Sequence, residues 1–70
     1  MIPNLAIGRY RHYKGQLYQV FGLARHTETE EFTVLYGKGL IEWARPYTNF
    51  TDWVETPNGW VPRFQIIPDE

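Results

Sequence analysis

Two histidines and a nearby run of acids are the side chains in this chain best suited to metal chemistry: His12 and His26, with Glu28 and Glu30 just beyond the second. Zinc needs three or four nitrogen, sulfur or oxygen donors converging at about 2 Å. The spacing argues against convergence. The two histidines read onto opposite ends of one hairpin, and a straight strand rising about 3.3 Å per residue sets Gln16, opposite His12, roughly 30 Å from His26. No metal or other cofactor is expected. Each ring reads instead as bonded to backbone, His12 while partly buried and His26 within the turn that follows it. The chain has no cysteine and no serine, which excludes acyl-enzyme chemistry on either. No threonine stands in a recognisable nucleophile setting. Paired carboxylates for glycoside cleavage would come from Glu28, Glu30, Glu31, Glu42, Asp52 and Glu55, and the first three read as solvated charge in a turn. The glycines are scattered and form no phosphate-cradling loop. The sequence points away from an enzyme.

Binding is the chemistry that remains, and two sets of residues can supply it. Residues 1–27 carry Arg9, Arg11, Lys14 and Arg25 and no acid, a charge of +4; residues 28–70 set Lys38, Arg45 and Arg63 against eight acids, a charge of −5. Either the two halves lie side by side and neutralise each other, or the basic half faces an anionic partner. The second set is Tyr36, Trp43, Arg45, Tyr47 and Phe50. Surface aromatics beside the loops of a small barrel form grooves for peptides or single-stranded nucleic acid. The alternative for Tyr36, Trp43 and Phe50 is a place in the core. Trp53 and Trp60 flank an Asn-Gly turn, where they either cover the end of a barrel or stand exposed.

These residues are positioned by short strands. Tyr13-Lys14-Gly15 is a three-residue hairpin loop, with Gly15 supplying the left-handed conformation at its third position. That loop sets His12 against Gln16, Tyr10 against Tyr18 and Gly8 against Val20. Alternation then puts Tyr10, His12, Tyr18 and Val20 on one face and Arg9, Arg11, Leu17, Gln19 and Phe21 on the other. Arg25 belongs with the second set unless a bend near Gly22 turns the chain over. The predicted strands are 7–12, 16–26, 32–36, 40–45, 52–55 and 60–66. Turns fall at 27–30, Gly37-Lys38-Gly39 and Pro57-Asn58-Gly59, with a connecting turn or one turn of 3₁₀ helix over 46–50. Pro46 ends a strand, and Pro62 marks an edge or a bulge. Tyr10, Tyr18, Val20, Val34 and Phe64 are the predicted core. Residues 1–6 lead in and 68–70 form a tail.

Seventy residues make one domain, 1–70 with an ordered core of about 7–66. A core this small rarely supplies more than about 3–5 kcal/mol, and there is no disulfide to add to it. Three Trp, five Tyr and four Phe compensate by burying large area per residue. No apolar run reaches the roughly 20 residues of a membrane span, and no signal peptide is visible. The expectation is a cytoplasmic protein with no membrane partner. Closely spaced short strands predict an all-β fold, a small SH3-like barrel of five or six antiparallel strands, with an OB-like barrel as the alternative.

Gly8-x-Tyr10-x-His12-Tyr13-Lys14-Gly15, then Tyr18-x-Val20, then Ala24-x-His26-Thr27-Glu28-Thr29-x-Glu31 form a specifically spaced string. Leu35-Tyr36-Gly37, Trp43-x-Arg45-Pro46, Phe50 and Val61-Pro62-Arg63-Phe64 continue it. From about Gly8 to Gln65 the chain resembles the uncharacterised bacterial domain-of-unknown-function family sixteen fifty-three. It departs from that family around Val34-Leu35-Tyr36-Gly37, where two separate segments are merged. The resemblance implies a compact β domain similar to SH3-like barrels, and no activity. The reading is a binding module for a protein or peptide, with single-stranded nucleic acid as the alternative. Its candidate contacts are Arg9, Arg11, His12, Lys14, Arg25, Tyr36, Trp43, Arg45 and Tyr47. The net charge of −1 weighs against nucleic acid, whose affinity rests on phosphate contacts.

Overall fold

A computed structural model of the chain describes residues 3–68. Met1 and Ile2 of the leading segment and Asp69 and Glu70 of the tail lie outside the described residues. Strand β1 (Gly8–His12) and strand β2 (Leu17–Arg25) form the predicted hairpin. The Gly15 N–H donates to the His12 carbonyl at 2.7 Å and the His12 N–H to the Gln16 carbonyl at 2.8 Å. Gly15 has φ 105°, a conformation only glycine adopts without strain. Loop length fixes hairpin register, and Tyr10 lies opposite Tyr18 and Gly8 opposite Val20, as the loop predicts.

Strands β3 (Phe32–Gly37), β4 (Trp43–Pro46), β5 (Trp53–Thr56), β6 (Gly59–Pro62) and β7 (Phe64–Ile66) follow, with one helical turn, α1 (Tyr47–Phe50), between β4 and β5. The main sheet has the order β4-β3-β2-β1-β7, and β5 and β6 pair with each other in a second sheet. All pairings are antiparallel. The fold is all-β, with seven strands among the described residues rather than five or six. No closed barrel is seen among them: β4 and β7 are the edges of the main sheet.

Two local devices shape this sheet. Val20 lies opposite Tyr36 but Gly22 opposite Leu35, so Phe21 is an extra residue in β2. A bulge of this kind bends the strand and reverses which face its side chains serve. Val20 and Leu23, an odd spacing apart, therefore share the inner face with Tyr36 and Val34. Arg63 is the second device. Its N–H donates to the Asp52 carbonyl at 2.9 Å, and its carbonyl accepts from the Tyr13 N–H at 3.0 Å. The predicted last strand is thereby split, β6 staying with β5 while β7 pairs with β1. Pro62, which cannot donate to a ladder, stands at the break.

The predicted fourth strand begins three residues late. Leu40 to Glu42 form a loop, because the Glu42 carboxylate accepts the Lys38 N–H at 2.9 Å and the Glu42 N–H bonds the Tyr36 carbonyl at 3.1 Å. Gly37 is buried there with no room for a Cβ, which would meet the Leu40 carbonyl oxygen.

The core is Tyr10, Val20, Val34, Tyr36, Phe50 and Phe64, with Leu5, Tyr18, Leu23 and Tyr47 packed against it. Four of the five predicted core residues are buried, and Tyr18 is partly so. Phe50 is the one buried residue of α1 and plugs the inner face of the sheet. Its ring stacks on Phe64 at 4.1 Å and meets Tyr10 and Tyr36 edge-on at 5.4 and 5.6 Å. No described helix is long and apolar enough to cross a membrane.

Candidate functional site: an aromatic shelf with a central arginine

The inner face continues beyond the Phe50 plug as a shelf of rings. Tyr36 pairs with Trp43 across β3 and β4, His12 with Phe64 across β1 and β7, and Tyr18 stands between on β2. Tyr18 meets Tyr36 at 5.5 Å, Trp43 at 5.6 Å and Phe64 at 5.9 Å, each edge-on. Edge-to-face packing sets the positive rim of one ring against the negative face of another and fixes their angles. Burial grades across the shelf. Tyr36 is 5% exposed and Phe64 7%, Tyr18 is half-buried, and Trp43 on the edge strand is 42% exposed.

Arg45 is the polar centre of this surface. Its Nε donates to the Tyr36 hydroxyl at 3.1 Å and its Nη1 to Asn49 Oδ1 at 2.6 Å, while Cζ lies 5.4 Å from the centre of the Phe64 ring. Both hydrogen-bond partners are neutral, so the guanidinium is held in place without its charge being cancelled. His12 borders the same Phe64 ring at 4.9 Å, and its Nδ1 accepts the Lys14 N–H at 3.2 Å. An acceptor Nδ1 marks the neutral ring with its proton on Nε2. Burial pushes the His12 pKa below the usual histidine value, and the charges of Arg45, Lys14 and Arg63 push it further down. The surroundings thus favour negative charge. A carboxylate or other acceptor beside Arg45 and His12 would meet cations without a competing acid among their hydrogen-bond partners.

The sequence-predicted contacts divide among several surfaces. His12, Tyr36, Trp43 and Arg45 meet on the shelf. Tyr36 is core and supports it from beneath, exposing little of its own surface. Tyr47 is half-buried against the core. Lys14 sits at the hairpin loop, its ammonium 5.8 Å from the Tyr13 ring. Arg9 and Arg11 are exposed on the outer face, pairing with Gln19 and Leu17. A shallow depression of about 530 Å³ opens between Arg9, Leu17, Tyr18, Gln19, Phe21 and Lys38, whose ammonium lies 5.7 Å from the centre of the Tyr18 ring. Arg25 does not join them. The bulge at Phe21 turns it to the inner side, at the far end of β2, where it lies 4.6 Å from the Phe32 ring. His26 is the turn residue expected, its Nδ1 accepting the N–H groups of Glu28 and Thr29 at 3.2 and 3.3 Å.

Three contributors were not singled out from the sequence. Asn49 follows Arg45 by four residues, which one helical turn brings into contact. Tyr18 and Phe64 were assigned to the core alone. Opposite positions in the predicted hairpin carried the signal for Tyr18; the split of the last strand hid that for Phe64.

The geometry defines a small all-β domain with an aromatic and cationic shelf on its edge strand. The chain belongs to the DUF1653 family, described as proteins of unknown function, whose family model matches residues 8–66. A crystal structure of a protein of that family from Bordetella bronchiseptica is similar, with a TM-score of 0.80 and 38% sequence identity over 91% of this chain and 88% of that one. A comparison with curated proteins found no match.

Proposed function

We propose that the domain is a cytoplasmic binding module that recognises a peptide or an extended protein segment and carries out no catalysis. In this reading the fold is a partly opened SH3-like barrel, with the β5–β6 ribbon standing away from the main sheet. The peptide lies along β4. An apolar or aromatic side chain rests on Trp43, and an acceptor group meets Arg45. The observation that carries the reading is the 42% exposed Trp43 indole, fixed edge-on by Tyr18 beside a guanidinium bonded only to neutral groups. Exposed aromatics next to an uncompensated arginine are what binding energy usually concentrates on. Strand β4 adds a second support: as an edge strand it offers unpaired backbone groups to an extended chain.

Single-stranded nucleic acid is the lesser reading. It needs phosphate contacts and stacking rings on one track, whereas Arg9 and Arg11 face away from the shelf and Arg25 is turned elsewhere. An array of extended peptides probed with the parent domain and with Trp43→Ala tests the proposal. Sequences rich in aromatic and acidic residues should bind the parent, and Trp43→Ala should lose about tenfold or more in affinity. Submicromolar binding of a poly-pyrimidine strand, weakening steeply with salt, would reverse the ranking.

A further inference from the structure

The β5–β6 ribbon carries two of the chain's three tryptophans, and neither is on the shelf. Its strands join through Pro57 and Asn58, and Trp53 lies opposite Pro62, Val54 opposite Val61, and Glu55 opposite Trp60. Alternation then divides the ribbon cleanly. Val54 and Val61 are half-buried on one side. Trp53, Glu55, Trp60 and Pro62 share the other. Directly opposed side chains in an antiparallel pair stand about 5 Å apart and diagonal ones about 7–8 Å. The four therefore mark the corners of a small square, with the indoles on one diagonal and the Glu55 carboxylate and Pro62 ring on the other.

This square faces solvent. Trp53 is 55% exposed and Trp60 62%. A 70-residue chain with a small core leaves two of its three largest ring systems mostly outside it. The two ribbon strands carry one charged side chain, Glu55, and it lies on the same face as both indoles; the cation that follows the ribbon, Arg63, comes after Pro62. Indole has the most attractive face for a cation among the side chains. Among the described residues cations lie over rings four times, on Tyr13, Phe32, Tyr18 and Phe64, and none of these is a tryptophan. The indoles of the square are left without an internal cation.

We propose that the outer face of the β5–β6 ribbon is a docking site for an arginine side chain of a partner protein. A planar guanidinium stacks on an indole face and donates two parallel N–H bonds to the Glu55 carboxylate, with Pro62 closing the apolar side. Arginine fits better than lysine because the square offers flat faces and a bidentate acceptor, which a compact ammonium uses less fully. Trp53, Glu55 and Trp60 are all exposed, so the site suits the tip of a side chain presented by a protein surface and not an enveloped small molecule.

The test is an NMR titration of the ¹⁵N-labelled domain, read at the indole N–H signals. The probe is the capped tripeptide acetyl-Gly-Arg-Gly-amide, with the citrulline tripeptide as its uncharged isostere. The expected result is saturable movement of the Trp53 and Trp60 signals with the arginine peptide and none with citrulline, Trp43 staying still. Glu55→Gln, checked for an unchanged spectrum elsewhere, should weaken binding about fivefold, the equivalent of ~1 kcal/mol at an exposed site. Equal shifts with citrulline, movement at Trp43 alone, or Glu55→Gln binding as tightly as the parent would each overturn the assignment. A lysine tripeptide matching arginine would overturn the stacked guanidinium. The shelf plays no part in this experiment, so its outcome is independent of the peptide reading above.

Discussion

Replacing Arg45 by methionine separates the two roles the structure gives that residue. Methionine keeps an unbranched stem against the Phe64 ring but removes the bonds to Tyr36 and Asn49 and the charge beside His12. A hydrogen bond to a charged group contributes about 1.5–3 kcal/mol when buried. Arg45 is half-buried, so the pair together should contribute about 2 kcal/mol. Tyr36 is 5% exposed, and its hydroxyl would lose the Arg45 donor. Tyr36→Phe alone should cost about 1 kcal/mol, and the Arg45→Met, Tyr36→Phe double mutant less than the sum by about 0.5–1.5 kcal/mol. Against a total of about 3–5 kcal/mol these differences are measurable in urea midpoints. The charge effect is read separately. His12 is surrounded by Arg45 on β4, Lys14 at the loop and Arg63 before β7, all lowering its pKa, after burial, the largest cause. A histidine held neutral in the fold binds fewer protons than the unfolded chain, so stability falls as pH drops through about 6.5 toward the depressed folded value. Arg45→Met should raise the His12 pKa part of the way back, burial holding it below the ordinary value, and flatten that pH dependence. Titration of the His12 Cε1 proton measures it. An unchanged or lower His12 pKa, or strict additivity with Tyr36→Phe, would refute the central place given to Arg45.

Phe50→Ala should cost about 3–5 kcal/mol, because the ring is 1% exposed and stacked on Phe64; the variant should be largely unfolded at 25 °C by circular dichroism, and Phe50→Leu should recover much of the loss. Gly37→Ala should destabilise by more than about 1 kcal/mol in urea, since its Cβ would meet the Leu40 carbonyl and the Glu42 N–H in the turn that precedes β4. Deleting Phe21 removes the extra residue and sets Val20 and Leu23 two apart, so alternation keeps Leu23 and Arg25 on the inner face; a dispersed NMR spectrum with the β2–β3 pairing retained is expected, and loss of dispersion would show that the bend itself is needed for the fold. Binding of an anionic peptide at the shelf should tighten as pH falls toward and below 6.5, because an anion beside His12 favours its protonated form; calorimetry in two buffers of different ionisation enthalpy would show the proton uptake.

The first hairpin was legible in the sequence because a three-residue loop ending in glycine leaves one register, and register decides which side chains share a face. The bend near Gly22 was legible for a related reason: β2 is apolar on both faces around it, which fits a central strand that changes sides at a glycine. What stayed hidden depended on hydrogen bonds reaching across the chain. Glu42 caps the Lys38 N–H and delays β4, where Leu40 and Ile41 have strand-like patterning but remain exposed. Arg63 ties its backbone to Asp52 and Tyr13 and so divides what reads as one strand. The Arg45 cluster needed Tyr36 and Asn49 to converge from a strand and a helical turn, and neither spacing signals the other.

The bulge also bears on the two proposed binding chemistries. Read without it, Arg9, Arg11 and Arg25 form one stripe, and with Lys14 at the loop four phosphate contacts to a single strand would give a log–log salt slope of about −3. With it, Arg25 moves to the inner side against Phe32, Lys14 lies by Tyr13, and Arg45 is locked between Tyr36 and Asn49. Arg9 and Arg11 remain of the stripe, with Lys38 beside Arg9, and three contacts at roughly −0.7 each give a slope of about −2. Each inner-side cation also lies against a ring, which spends the aromatic face that a stacking base would need. A peptide requires neither a run of cations nor several open faces. It needs one accessible anchor, a placed donor and an edge of unpaired backbone, and Trp43, Arg45 and β4 supply these within four residues of one another.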